Sequence, residues 1–216
     1  MSRPDRKGAT DKVRTLTRAA HVGGPDAAEA FGELVGFLLR LTVLDKAGTI
    51  MRYRKTAVAH VIGGPREEGF SPLPLRGGRY LGLFIQLYID REDQDFLKVS
   101  KARYQYQLDE AGENWVFRYE YIRDPPDHHP CGHLHVRGRL TEDCLPSHAT
   151  LDRVHFPTGR VSLEAIIRLL AGHFGIRAAA SEDVWWPALF ESETAFLKVA
   201  HKPTNPRQAE PPPKRR

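Results

Sequence analysis

Apolar positions recur along this chain with two different periods, and the two are segregated. Leu81, Leu83, Ile85, Leu87 and Ile89 alternate without interruption, the spacing of a strand with one face turned inward. Residues 98–108 and 114–123 repeat that alternation around Asp109-Glu110-Ala111-Gly112-Glu113, a turn by composition, and residues 133–140 alternate once more. Beyond them the period changes. Leu163, Ile166, Ile167, Leu170 and Phe174 follow i, i+3, i+4, i+7 and i+11 behind Ser162, a good N-cap. A second helix follows Ser181 and runs through Leu189 and Phe196 to about Ala200, with Pro187 near its start.

The first third is mixed. Phe31, Leu34, Val35, Leu38 and Leu39 fit helical spacing, yet residues 34–44 and 49–62 also flank Asp45-Lys46-Ala47-Gly48 as a hairpin would. A short helix passing into a strand accommodates both. Residues 63–78, rich in Gly and Pro, read as a long loop. Strands first and helices after predict an α+β domain over 23–200. It is an antiparallel sheet of about six strands followed by two C-terminal helices packed on one face. Residues 1–22, polar and without sustained periodicity, read as a disordered basic tail. Residues 201–216, with Pro203, Pro206 and Pro211-Pro212-Pro213, read as a disordered Pro-rich basic tail.

Alternation also sorts side chains by face. Ala102, Tyr104 and Tyr106 oppose Lys101, Arg103 and Gln105; Phe117, Tyr119 and Tyr121 oppose Arg118 and Glu120; Leu134 and Val136 oppose His133, His135, Arg137 and Arg139. If the three strands are neighbours with apolar faces on one core, their polar faces coincide. Two imidazoles then serve as base and acid near neutral pH, because histidine titrates near pH 6.5. Glu120 would orient one imidazole, while Lys101, Arg103, Arg118 and Arg137 bind phosphate. Cleavage of an RNA phosphodiester needs that inventory and no cofactor. The same alternation is what a merely solvated sheet face carries, which is the simpler reading of each lysine or arginine alone. Two histidines on one strand face favour chemistry.

The run Asp127-His128-His129-Pro130-Cys131-Gly132-His133-Leu134-His135 also permits metal binding, with zinc held by His128, Cys131, His133 and His135. The spacing matches no structural-zinc pattern. His155 stands before the helix that Ser162 opens, where an anion can bind. There is no P-loop, no GxGxxG and no GxSxG, so no cofactor other than zinc is implied. Trp185-Trp186 reads as core or interface.

Charge qualifies the nucleic-acid reading. The net charge is +5, but residues 1–20 and 201–216 each carry +4, which leaves −3 for residues 21–200. The basic character belongs to the ends, where it raises affinity for phosphate backbones without selecting a target. No run of about 18 apolar residues marks a membrane span. Two cysteines, Cys131 and Cys144, and no apolar leader read as reduced thiols in a cytoplasm.

The order of motifs resembles a known family. Lys101-Ala102-Arg103-Tyr104-Gln105-Tyr106, Phe117-Arg118-Tyr119-Glu120, His133-Leu134-His135 and a helix at 162–174 are similar to the TumE family of small prokaryotic toxins, over about residues 35–175. The opening hairpin at 34–62 looks like the family's first strands. Glu120 stands where the family usually has Asp, and this chain is about twice the usual length, with 63–78, 141–152 and the second helix as additions. The resemblance implies a cognate antitoxin with a helix-turn-helix DNA-binding domain. Three functions follow: a toxin-like nuclease acting on RNA; a non-enzymatic regulatory protein that docks a DNA-binding partner; and a metal-dependent hydrolase.

Overall fold

The strands that alternate most cleanly form the middle of the sheet. In the computed structural model the described residues are 5–23, 25–56, 59–63, 72–91, 96–126, 129–137 and 156–200. Their elements, in chain order, are α1 (Arg6–His21), α2 (Pro25–Leu41), β1 (Met51–Arg54), β2 (Ala59–Gly63), β3 (Pro72–Leu75), β4 (Arg79–Asp90), β5 (Phe96–Gln107), β6 (Trp115–Ile122), β7 (Gly132–Val136), β8 (Phe156–Pro157), α3 (Leu163–Gly172) and α4 (Glu182–Ala200). The strands make one sheet in the order β1-β2-β4-β5-β6-β7-β8, every pair antiparallel, with β3 lying against the other end of β4. The fold is α+β, an antiparallel sheet followed by the expected C-terminal helices.

One hydrophobic core joins the sheet's inner face to all four helices. Leu81, Leu83, Ile85 and Leu87 of β4, Tyr104 and Tyr106 of β5, and Phe117 and Tyr119 of β6 meet Leu16, Leu38, Leu39, Ile167, Leu170 and Leu189. Ser162 caps α3 by accepting from the Ala165 amide at 2.9 Å. In α4, Trp185 is buried and Trp186 exposed.

Two expectations at the N-terminal end are corrected. Residues 6–21 are a helix, not a tail: the Asp5 carboxylate caps α1 by accepting from the Gly8 amide at 2.7 Å, and Ala9, Val13, Leu16 and Ala20 are buried along one stripe. That stripe has helical spacing, but it is built mostly of small residues among charges, so its periodicity is faint. Downstream, α2 stays helical to Leu41, and Leu44 makes only an isolated bridge to Leu75. The expected partner of a 34–44 strand, residues 49–62, instead folds on itself as the hairpin β1–β2, with Met51 opposite Gly63. The loop expected at 63–78 contains strand β3, whose prolines Pro72 and Pro74 sit on an edge where no ladder donor is needed, while Leu73 and Leu75 point inward. Residues 64–71 and the Pro-rich segment 201–216 lie outside the described residues.

Candidate functional site

Strand register builds the site. Across the sheet, Arg103 of β5 stands opposite Glu120 of β6, which stands opposite His133 of β7; one step along, Gln105 stands opposite Arg118, and Arg118 opposite His135. Because side chains alternate, these six project from the face away from the helices, while Tyr104, Tyr119 and Leu134 between them turn into the core layer.

Glu120 is the hub. Its Oε1 is within ion-pair distance of Arg103 Nε at 2.6 Å and of Arg118 Nε at 3.3 Å, and its Oε2 lies 3.4 Å from His133 Nε2. His133 and His135 meet edge to face, ring centroids 4.9 Å apart. The Arg118 guanidinium also sits 5.4 Å above the Trp115 ring, a cation–π contact that fixes its reach.

Burial redefines the layer. The sequence expects a face open to solvent, but His133 is fully buried and His135 only 4% exposed. The side chains of Glu120, Arg118 and Arg103 are 13%, 29% and 41% exposed. The order is a gradient, from enclosed imidazoles through a half-sheltered carboxylate to guanidiniums that reach solvent. Such an arrangement can hold an anion at the surface and pass a proton inward.

The remaining expected residues divide. Lys101 is exposed and stands across from Ile122 and Gln86, not across from a site residue. Arg137 leaves the cluster: its Nη1 donates to the Glu113 carbonyl in the β5–β6 turn. Cys131 is an exposed free thiol whose Sγ lies 3.9 Å from the Arg123 carbonyl. His128, Arg139, Cys144 and His155 lie outside the described residues. Two further residues adjoin the cluster. His129, in the loop before β7, sets its ring edge-on to His133 at 4.5 Å. Gln105 is buried and donates to Gln107 Oε1 at 2.9 Å, and Gln107 in turn donates to the Asp109 carbonyl at 2.8 Å, tying the site to the β5–β6 turn. The histidine run itself signals His129, and alternation already places Gln105 on the polar face; its burial and its bond to Gln107 are what the sequence does not show.

Of the metal set read from sequence, His128 lies outside the described residues. Among the described residues the group that can share an ion is Glu120, His133 and His135, one ligand atom from each lying within 4.8 Å of the others; Cys131 is not in it. Tetrahedral zinc, with Zn–N and Zn–O bonds of about 2.0–2.1 Å, places neighbouring donors roughly 3.4 Å apart. The observed 3.4 Å between His133 Nε2 and Glu120 Oε2 is that edge length. That edge and the grouping of the three residues are compatible with such an ion, with Oε2 as ligand and Oε1 paired with Arg103.

Fold and cluster together define the class: an α+β protein with an enclosed imidazole–carboxylate centre edged by two guanidiniums. No family model, no curated protein and no solved structure matches the chain.

Proposed function

We propose that the chain is a toxin-like ribonuclease whose centre is Glu120, His133 and His135. The observation that carries this reading is the Glu120 carboxylate, which joins two guanidiniums on one oxygen to an imidazole on the other. Arg103 and Arg118 bind the scissile phosphate and offset the charge that develops on it. Glu120 orients His133, and the two imidazoles divide the work of base and acid. The resemblance to TumE-type toxins supports the same reading and adds a partner, an antitoxin that carries a DNA-binding domain. Acid–base catalysis by positioned side chains contributes about 10²–10⁴-fold. Combined His133→Ala and His135→Ala is therefore expected to lower cleavage of single-stranded RNA by at least about 100-fold and to relieve growth inhibition on induced expression. A folded double variant that still cleaves RNA and still inhibits growth sinks the proposal.

A second reading is favoured by the ligand edge: a metal-dependent hydrolase in which the same three residues hold zinc or a similar ion. The ion would supply an activated water, and the arginines would keep their phosphate role. Chelation separates the two. Cleavage that survives EDTA belongs to the histidine pair; cleavage lost to EDTA and restored by a stoichiometric divalent ion belongs to the metal.

A further inference from the structure

The sheet's other face lines a partly open cavity that the nuclease reading leaves without a role. Between β4–β6 and the helices α1, α2 and α4 lies a space of about 190 Å³. Its body is apolar, with Phe31, Leu34, Leu38, Leu87, Tyr104 and Phe196 on its walls. Interiors close-pack, so a void of this size is unusual, and an apolar cavity of about 150 Å³ already accepts benzene.

Two guanidiniums line this apolar space. Arg123 is 7% exposed and spends its Nε on the Val99 carbonyl at 2.8 Å. Arg160 is wedged between the Tyr121 and Phe196 rings, 5.0 and 4.9 Å from their centroids. Among the described residues neither has a carboxylate within ion-pair distance, although every other charged group on the wall is accounted for. Lys98 Nζ pairs with Asp90 Oδ2 at 2.7 Å. Glu164 accepts from the Ser192 hydroxyl, and its burial pushes its carboxyl toward the neutral form. Burial and the neighbouring Arg123 charge both disfavour the Arg160 cation, so the pair is held at a cost that an anion would relieve.

The Arg160 position is fixed, not adventitious. Tyr119 Oη accepts from the Val161 amide at 2.9 Å and donates to the Gly159 carbonyl at 3.3 Å, and the Thr158 amide donates to the Gly132 carbonyl at 2.9 Å. The 158–161 strap is thereby bolted to β6 and β7 with Arg160 between the two rings.

We infer that this cavity binds a small amphipathic carboxylate, its ring or short alkyl chain among the leucines and its carboxylate on Arg123 and Arg160. The site is independent of Glu120, His133 and His135, which lie on the opposite face of the sheet.

Calorimetric titration of the full chain tests it with sodium octanoate and 3-phenylpropionate as probes and octanol as the neutral control. At least one carboxylate binds at one equivalent, about tenfold or more tighter than octanol, because charge-assisted contacts to guanidinium read the carboxylate. Arg160→Gln weakens the carboxylate by about tenfold while leaving octanol unchanged, and Ala195→Phe, which fills the cavity wall without touching charge, weakens all probes. No saturable binding of either carboxylate, or equal affinity for octanol and octanoate in the unmodified chain, overturns the inference, and neither result needs a variant to fold. Unchanged octanoate binding in a folded Arg160→Gln protein overturns it as well.

Discussion

Glu120 organises the site more than either histidine does. One oxygen takes two guanidiniums and the other faces an imidazole, so its charge is what allows Arg103 and Arg118 to sit side by side. Glu120→Gln keeps the shape and removes that charge, leaving two cations next to each other. Partly exposed ion pairs contribute about 0.2–1 kcal/mol each, so a loss of about 1 kcal/mol is expected in urea unfolding, together with a fall in RNA cleavage. Unchanged stability would mean that the arginines do not depend on the carboxylate. Gly132 is a second residue with a steric role. A Cβ there would stand 3.0 Å from the Gly159 carbonyl oxygen, 3.1 Å from that of Thr158 and 3.2 Å from Tyr119 Oη. Gly132→Ala requires these neighbours to give by a few tenths of an ångström, so a destabilisation of about 1 kcal/mol is expected as a lowered urea midpoint. The partnership of Arg103, Glu120, Arg118, His133 and His135 was legible in the sequence, because alternation plus a shared core leaves their strands one arrangement of faces. Their burial was not legible. Alternation says which residues share a face, and nothing about whether that face is covered.

At the scale of elements the same contrast recurs. β4 was legible because large aliphatic residues alternate over its inner face, and α3 because a capping serine precedes a stripe of Leu and Ile. Helix α1 was not, since Ala9, Val13 and Ala20 register weakly beside Arg6, Lys7, Lys12, Arg14 and Arg18. Small residues are nonetheless what the position requires, because they let α1 lie close against α2 and α4, and Arg14 then reaches Glu191 of α4 at 3.0 Å. Residues 34–44 went the other way: their leucines satisfy strand and helix periods alike, and packing against β4 decides for the helix. If α1 belongs to the core, Leu16→Ala destabilises the whole domain by about 2–3 kcal/mol, and Asp5→Ala, which removes the cap, by about 1 kcal/mol. Both are read as shifts of a single unfolding transition. A Leu16→Ala protein with an unshifted midpoint would return residues 6–21 to the status of a tail.

The whole molecule is a sheet with two polar interests on opposite faces, and its stability is tied to pH through the helical one. Glu164 is wholly buried between α3 and α4. Burial raises its carboxyl above the ordinary value, outweighing the hydrogen bond from Ser192 that favours the ion. The folded state therefore holds this proton to a higher pH than the unfolded chain does. By linkage, the stabilisation is fully present below the unfolded carboxyl's range and is lost as pH rises through the higher folded value. Glu164→Gln keeps an acceptor for the Ser192 hydroxyl and has no proton to lose. The urea midpoint of the unmodified chain is therefore expected to fall relative to that of Glu164→Gln as pH is raised from about 4 to about 8. Other titrating groups are common to both proteins and cancel in the difference. Parallel midpoints across that range would show that Glu164 ionises in the fold as freely as in solution. The cavity that it lines would then carry a counter-charge for Arg123 and Arg160, and the case for an external carboxylate would weaken with it.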